Sequence, residues 1–237
     1  AGRAFAALRR ESAACRLEAS WREQRAYLAQ AAGVWGRTAF ALETAAALRR
    51  IRPVRPPAAG RAAAPGSIET ASSIAGIDPR SGALRRLVSR DSGRVFADAA
   101  HRLGTIWFEV FDARDYARFL RQYVRLTAAT RAWAIPDFGK PGLETVAGLR
   151  HRRFEPVGRA VEAATVSGEP AWRCRLAMPA EAVSRYGAPP RVVATCQFCA
   201  DRPEAFLVVD WFDQRACRIP CAIGCSFVPF LEAGAGW

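Results

Sequence analysis

The chain has 237 residues, 51% of them hydrophobic, and a formal net charge of +13. That length can hold one large domain, or a small helical segment followed by a β domain with a sizeable core. No apolar run approaches the roughly 18 residues of a membrane-spanning helix, and no signal-peptide pattern opens the chain, so composition excludes a helical membrane span.

The positive charge comes almost wholly from arginine. Lys140 is the only lysine and asparagine is absent, a bias typical of a GC-rich genome, which weakens arguments from arginine abundance. The densest basic clusters, residues 49–55 and 151–153, lack the interleaved aromatics on which single-strand binding proteins stack bases. A basic chain favours anionic partners, but this distribution is more typical of a solvated surface than of a nucleic-acid interface.

The first fifty residues predict helix. Ser20 followed by Glu23 is a capping box, after which Trp21, Leu28, Trp35 and Leu42 recur every seven residues. Such an apolar stripe needs a partner, which a helix over residues 5–17 could provide as the other arm of a hairpin. We therefore predict a helical segment over residues 1–51, either a hairpin or the end of a helical bundle.

Prolines then mark a domain boundary. Residues 52–67 contain four prolines with alanine, glycine and arginine, a composition that removes amide donors and forbids helix. We predict a linker here and a β domain over residues 68–237.

Beyond the linker the hydrophobic pattern changes to a period of two. Turn signals at residues 78–82, 90–93 and 201–203 separate short apolar segments, and in AWRCRLAM every second residue is apolar. The segments predicted as strands are residues 83–89, 104–111, 171–178, 191–199 and 204–212. Many short strands joined by turns predict a mainly β, antiparallel sandwich.

One helix interrupts the strands. Residues 112–124 begin with Asp112 and Asp115, which are best explained as a helix cap and its third-residue companion. Tyr116, Phe119, Leu120 and Tyr123 then follow at one-face spacing, so we predict that the helix packs on the sheet through these four side chains.

Seven cysteines without a secretory signal indicate reduced thiols and a cytoplasmic protein. Cys196 and Cys199 form a CxxC, and Cys217, Cys221 and Cys225 follow, a set that could hold zinc. However, RVVATCQFC predicts a strand, in which residues three apart point to opposite faces. We predict buried cysteines and no metal site in this chain.

The segment IPDFGKPG, residues 135–142, predicts a rigid loop in which Gly139 and Gly142 adopt positive φ. Its Asp137-Phe138-Gly139 does not indicate a kinase, since no glycine-rich loop or HRD element precedes it. Asp137 and the only lysine, Lys140, are candidate substrate-binding residues of this loop.

Few other residues are candidates for chemistry. His101 and His151 are isolated in sequence, outside any metal-ligand spacing, and we assign no catalytic residue. Asp210 and Trp211 lie in a predicted strand, as sheet-edge residues or as a second pair of substrate contacts.

Several strings together resemble a known family: SWREQRAYLAQA, GIDPRSGALRRLVSRDSGRVFAD, FEVFDARDYARFLRQY, IPDFGKPGLE and VVDWFDQRACRIP. They are similar to the region behind the catalytic barrel in relatives of glycoside hydrolase family 38, the class II α-mannosidases. The match is to an uncharacterised bacterial and fungal branch of that superfamily.

The resemblance implies a helical bundle followed by a sandwich of the galactose-mutarotase or α-mannosidase C-terminal type. It also implies an upstream barrel in the same polypeptide that holds a zinc ion and an aspartate nucleophile, neither of which matches a residue here. The expected function is the accessory, non-catalytic portion of a carbohydrate-processing enzyme, a fragment inactive alone and without a cofactor of its own. A stand-alone carbohydrate-binding or interaction module is the alternative, and a nucleic-acid-binding domain the second alternative.

The chain departs from the branch near its end. Where relatives carry an acidic residue and a tryptophan after Arg218-Ile219-Pro220, this chain reads Cys221-Ala222-Ile223-Gly224-Cys225. We therefore expect a disrupted last strand pair and a sandwich truncated at its C-terminus.

Overall fold

The computed structural model describes residues 38–50, 55–58, 60, 66–202, 204–215 and 217–231, with positions 23, 26, 27, 30, 31 and 33–36. The chain divides into two units, Ala1–Val54 and Arg55–Trp237. None of the helices in the described ranges is both long enough and apolar enough to cross a membrane.

The described part of the first unit is helical, with a break. Residues 23 to 34, where described, are helical, and helix α1 spans Ala39–Arg50. Between them Gly36 adopts φ +62°, and the Thr38 hydroxyl accepts a hydrogen bond from the Ala41 amide (3.3 Å). The predicted stripe therefore crosses a turn, and its members Trp35 and Leu42 are exposed. Ser20, Trp21, Leu28 and the predicted partner helix at 5–17 lie outside the described residues.

The second unit contains eleven strands and three helices in its described residues. The strands are β1 (Ser67–Glu69), β2 (Ser73–Ile77), β3 (Leu84–Ser89), β4 (Val95–Ala97), β5 (Leu103–Val110), β6 (Arg152–Phe154), β7 (Val157–Val166), β8 (Glu169–Ala177), β9 (Arg191–Phe198), β10 (Ala205–Phe212) and β11 (Cys221–Phe227). The helices are α2 (Ala113–Tyr123), α3 (Arg131–Phe138) and α4 (Ala180–Tyr186), with a 3₁₀ turn at Leu143–Thr145.

The strands form two sheets in which every pairing is antiparallel. The seven-stranded sheet has the order β1-β2-β3-β5-β11, with β4 on β3 and β6 on β5; the four-stranded sheet has the order β10-β9-β8-β7. The sequence prediction of a mainly β, antiparallel fold is confirmed. All five predicted strands are present, whereas β1, β2, β4, β6 and β7 were missed.

One hydrophobic core joins the inner faces of the two sheets. Alternate residues of β5 (Ile106, Phe108, Val110) and of β8 (Trp172, Cys174, Leu176) are buried in it. This alternation arises because successive side chains of a strand point to opposite faces of the sheet. The arrangement is that of a two-layer β-sandwich.

The expected disruption of the last strand is wrong. Cys221–Phe227 forms β11, which pairs with β5 along nearly its whole length. Gly224 lies opposite Trp107, and a Cβ there would come within 2.0 Å of the indole ring. Glycine thus lets the Trp107 ring lie against the strand.

Part of the predicted linker lies against the four-stranded sheet. The Arg175 guanidinium donates hydrogen bonds to the carbonyl oxygens of Pro57 (3.0 Å) and Ala58 (2.7 Å), and it pairs with the buried carboxylate of Glu162. Both side chains come from adjacent strands on the outer face of this sheet. Residues 55–60, where described, therefore form a strap over the sandwich.

Candidate functional site

Helix α2 begins where β5 leaves the sheet. The Asp112 carboxylate accepts hydrogen bonds from the amides of Arg114 (2.8 Å) and Asp115 (3.2 Å), and the Asp115 carboxylate accepts one from the Asp112 amide (2.9 Å). This reciprocal capping box satisfies amides that the first helical turn leaves open. The sequence interpretation of this aspartate pair as a helix cap is confirmed.

The apolar face of α2 does not pack as predicted. Tyr116 packs against the core and Leu120 is half-buried, but Phe119 is 41% exposed and Tyr123 is 75% exposed. The rings of Phe119 and Tyr123 stand 5.5 Å apart at a tilt of 37°. The prediction that all four side chains pack on the sheet is therefore wrong for these two, because only the first turn of the helix reaches the core.

The IPDFGKPG segment is only partly a loop. Ile135–Phe138 forms the last turn of α3, and the Gly139 amide closes it on the Ile135 carbonyl (2.9 Å). Gly142 has φ +87° as predicted, whereas Gly139 has φ −96°. Gly139 is required for another reason, since a Cβ there would lie 2.3 Å from the Ile135 oxygen.

Helices α2 and α3 border an open groove of about 490 Å³, which we call the aromatic groove. Five aromatic rings and three polar side chains line it: Phe111, Tyr116, Phe119, Tyr123 and Phe138, with Asp115, Arg118 and Gln122. Its volume falls within the roughly 300–1,000 Å³ of small-molecule sites, and the mixture of rings with a few polar groups is typical of them.

A histidine cluster adjoins the aromatic groove through Phe111 and Asp115, which line the groove. His151 lies between two carboxylates, with Nδ1 at 2.9 Å from Asp115 Oδ2 and Nε2 at 3.0 Å from Glu109 Oε1. The His151 amide also donates to Asp112 Oδ2 (3.2 Å), and its ring packs edge-on against Phe111. This cluster ties the start of α2 to β5 and to the residue before β6.

The cluster shifts the pKa of its members in opposite directions. The hydrogen bond to Asp115 raises the pKa of His151 above 6.5, with the charges of Asp115 and Glu109 adding to the effect against desolvation. Burial opposes ionisation of Asp112, but the amides of His151, Arg114 and Asp115 prevail and hold its pKa below 3.8. Both shifts favour an imidazolium among carboxylates.

The four candidate residues from the sequence fall into two separate places. Asp137 and Lys140 are exposed on either side of the Phe138–Gly139 corner, where Phe138 lines the aromatic groove. Asp210 and Trp211 are exposed on β10, an edge strand of the four-stranded sheet, opposite Val193 and Val192. Their sheet-edge position agrees with one of the two sequence interpretations, and no hydrogen bond or ion pair among the described residues joins the two places.

The cysteines are more varied than predicted. Cys174, Cys196 and Cys199 are buried, and burial raises the pKa of the Cys196 thiol to about 12 and that of Cys174 to about 11. Cys217 and Cys225, however, are exposed, so the prediction of burial is wrong for them. Within the described residues no three His, Cys, Asp or Glu side chains are grouped to hold a metal ion.

Sequence reasoning missed the residues that the fold assembles here. His151 was set aside because no ligand spacing surrounds it, yet it lies within 3 Å of carboxylates that precede it by 36 and 42 residues. The only signal was the aromatic spacing in FEVFDARDYARFLRQY, which predicted a buried helix face rather than a groove.

The chain that folds into this sandwich belongs to a defined family. The family described as "Domain of unknown function (DUF5054)" matches residues 1–206, so the chain is a member of it. No curated protein matches the chain.

Proposed function

We propose that this chain is the accessory portion of an α-mannosidase-like glycoside hydrolase, and that its sandwich binds carbohydrate in the aromatic groove. The observation that carries the proposal is the set of five aromatic rings gathered with Arg118 and Gln122 in one open groove. The resemblance of strings along the chain to relatives of the class II α-mannosidases supplies the carbohydrate class.

The groove has the chemistry that sugars require. A pyranose presents an apolar C–H face, which packs on aromatic rings, and hydroxyl groups, which need hydrogen-bonding partners. Phe119 and Tyr123 offer exposed rings, while Arg118 and Gln122 offer donors on the same helix. Asp137 and Lys140, beside Phe138, are the proposed contacts at one end of the groove.

The proposed role is binding rather than catalysis. Glycosidases place two carboxylates around the scissile bond, and here Glu109 and Asp115 flank one histidine. However, the His151 ring fills the space between them, and they approach it from opposite sides, so the three cannot converge on zinc either. We assign the nucleophile and the zinc ion to a barrel of the same polypeptide, and the cytoplasm as the compartment.

Calorimetric titration of the whole chain with mannobiose and mannotriose tests the proposal. We expect saccharide binding that Phe119→Ala and Tyr123→Ala abolish without lowering the melting temperature, since both rings are exposed. Phe227→Ala on β11, where the ring is 59% exposed, is the matched control and should bind as the wild type does.

Two results would contradict the proposal. One is the absence of binding to any saccharide of a broad array. The other is binding that survives both groove substitutions but is lost in Trp211→Ala, which would move the site to the edge strand.

A further inference from the structure

We propose that the aromatic groove prefers an anionic saccharide, one that carries a carboxylate, phosphate or sulfate group, and that Arg118 binds this group. The inference rests on the proposed function and narrows its ligand class. It follows from which polar atoms of the groove still have hydrogen-bonding capacity.

The groove carboxylate has little capacity left for sugar hydroxyls. Asp115 Oδ1 accepts from Arg118 Nη2 (3.0 Å), and Oδ2 accepts from the Asp112 amide (2.9 Å) and His151 Nδ1 (2.9 Å). A carboxylate offers about four acceptor positions, so three are occupied. With 13% of its side chain exposed, Asp115 is a poor acceptor for a ligand.

Arg118, in contrast, retains donors. Its side chain is 59% exposed, and in the described part of the chain its one hydrogen bond, to Asp115, uses a single Nη2 donor out of five. A guanidinium held in place at one edge can still present a second edge, which suits the paired oxygens of a carboxylate or phosphate. The free hydrogen-bonding groups of Arg118 are therefore donors, which suit acceptor atoms in the ligand.

The charges around Arg118 reinforce this preference. Arg114 and Arg121 precede and follow it by four and three residues, which places the three exposed arginines on adjoining positions of one face of α2. Glu109 and Asp112 direct their carboxylates to His151 and to backbone amides instead of to the groove. Only Arg118 of the three lines the groove, and Arg114 and Arg121 add positive charge beside it, as does the chain as a whole at +13.

Paired sugars, one neutral and one carrying an anionic group, test the inference. The whole chain would be titrated with mannose and mannose 6-phosphate, with glucose and glucuronic acid, and with inorganic phosphate alone. We expect each charged sugar to bind about tenfold more tightly than its neutral partner, as one hydrogen bond to a charged group provides. The difference should shrink as sodium chloride is raised, because exposed charges are screened.

Substitutions identify the residue responsible. Arg118→Gln should remove the tenfold preference, because it weakens the binding of charged sugars much more than the binding of neutral ones, and Arg118→Lys should keep part of the preference. Arg85→Gln, an exposed arginine on β3, is the matched control and should retain the preference. Melting temperatures of all variants check that α2 is intact.

Each other result overturns the inference in a distinguishable way. Equal binding of charged and neutral sugars, or a preference that survives Arg118→Gln, would refute the role of Arg118 and leave saccharide binding standing. Binding of inorganic phosphate as tight as that of mannose 6-phosphate would indicate an anion site without sugar recognition. No binding of any sugar would refute both this inference and the proposed function.

Discussion

Replacing Arg175 by methionine should lower the free energy of unfolding by about 3 kcal/mol. Arg175 Nη2 donates to Glu162 Oε2 (3.2 Å) as well as to the carbonyls of Pro57 and Ala58, and Nε donates to Glu162 Oε1. Methionine retains an unbranched apolar chain but none of these donors. Because the Glu162 side chain is only 4% exposed, the substitution leaves a buried carboxylate without its main partner.

The magnitude follows from burial. Removing one partner of a buried ion pair costs about 3–5 kcal/mol, and we take the lower end because the Arg175 side chain is 22% exposed. Arg173, whose charge also lowers the pKa of Glu162, stays nearby and limits the loss. For a domain of this size, about 3 kcal/mol corresponds to a fall in melting temperature of about 6–12 °C.

Urea denaturation and calorimetry measure the effect, with two controls. Arg191→Met removes a similar pair, with Asp213, but both side chains are more than half exposed, so its cost should stay below about 1 kcal/mol. Adding Glu162→Gln to Arg175→Met should recover part of the loss, since the buried charge is then gone. If Arg175→Met cost no more than Arg191→Met, the strap over the sheet would not contribute to stability and the reasoning would be wrong.

Four further predictions concern the site and the activity. Gly139→Val should lower the free energy of unfolding by about 1–3 kcal/mol, because the new Cβ meets the Ile135 carbonyl oxygen 2.3 Å away. Lys140→Ala should leave urea denaturation unchanged, since this exposed side chain makes no ion pair within the described residues. His151 should stabilise the fold below pH 6.5 and lose this contribution as pH rises through its raised folded-state pKa, so His151→Gln should flatten stability over that range. The chain alone should not hydrolyse aryl α-mannosides, with or without added zinc.

Each of these has an outcome that contradicts it. Unchanged stability of Gly139→Val would show that the end of α3 relaxes freely. A lower urea midpoint for Lys140→Ala would show that this lysine supports the fold. A stability that rises with pH between 6 and 8 in the wild type, but not in His151→Gln, would reverse the sign argued for the histidine. Zinc-dependent turnover by the isolated chain would refute the accessory role.

Local features of the fold could be predicted from sequence. The strands β3, β5, β8, β9 and β10 show apolar alternation or apolar runs between turn residues, and these patterns arise within a few residues of chain. The capping box of α2 is equally local, because Asp112 and Asp115 satisfy each other's amides within one turn. Resemblance to a family supplied the carbohydrate hypothesis, which no local pattern contains.

Tertiary structure decided which side of α2 became a groove. Apolar residues at one-face spacing predict burial, but a helix that touches the core only through its first turn leaves Phe119 and Tyr123 outside. Spacing along a helix defines a face and does not define how far the neighbouring sheet extends beneath it. Strand β11 likewise depends on a contact between distant residues. Gly224 is needed there because the Trp107 ring leaves no room for a Cβ.

Tertiary structure also decided the histidine cluster. Strand β6 pairs with β5 in a register that sets Val110 opposite Arg152 and Glu109 opposite Arg153. That register places His151 at the end of β5, where the carboxylates of Glu109 and Asp115 contact the two nitrogens of its ring. The sequence by itself determined five of the strands and the cap of α2. The histidine cluster depended on a pairing between segments some forty residues apart, because only strand register relates positions that far apart in the chain.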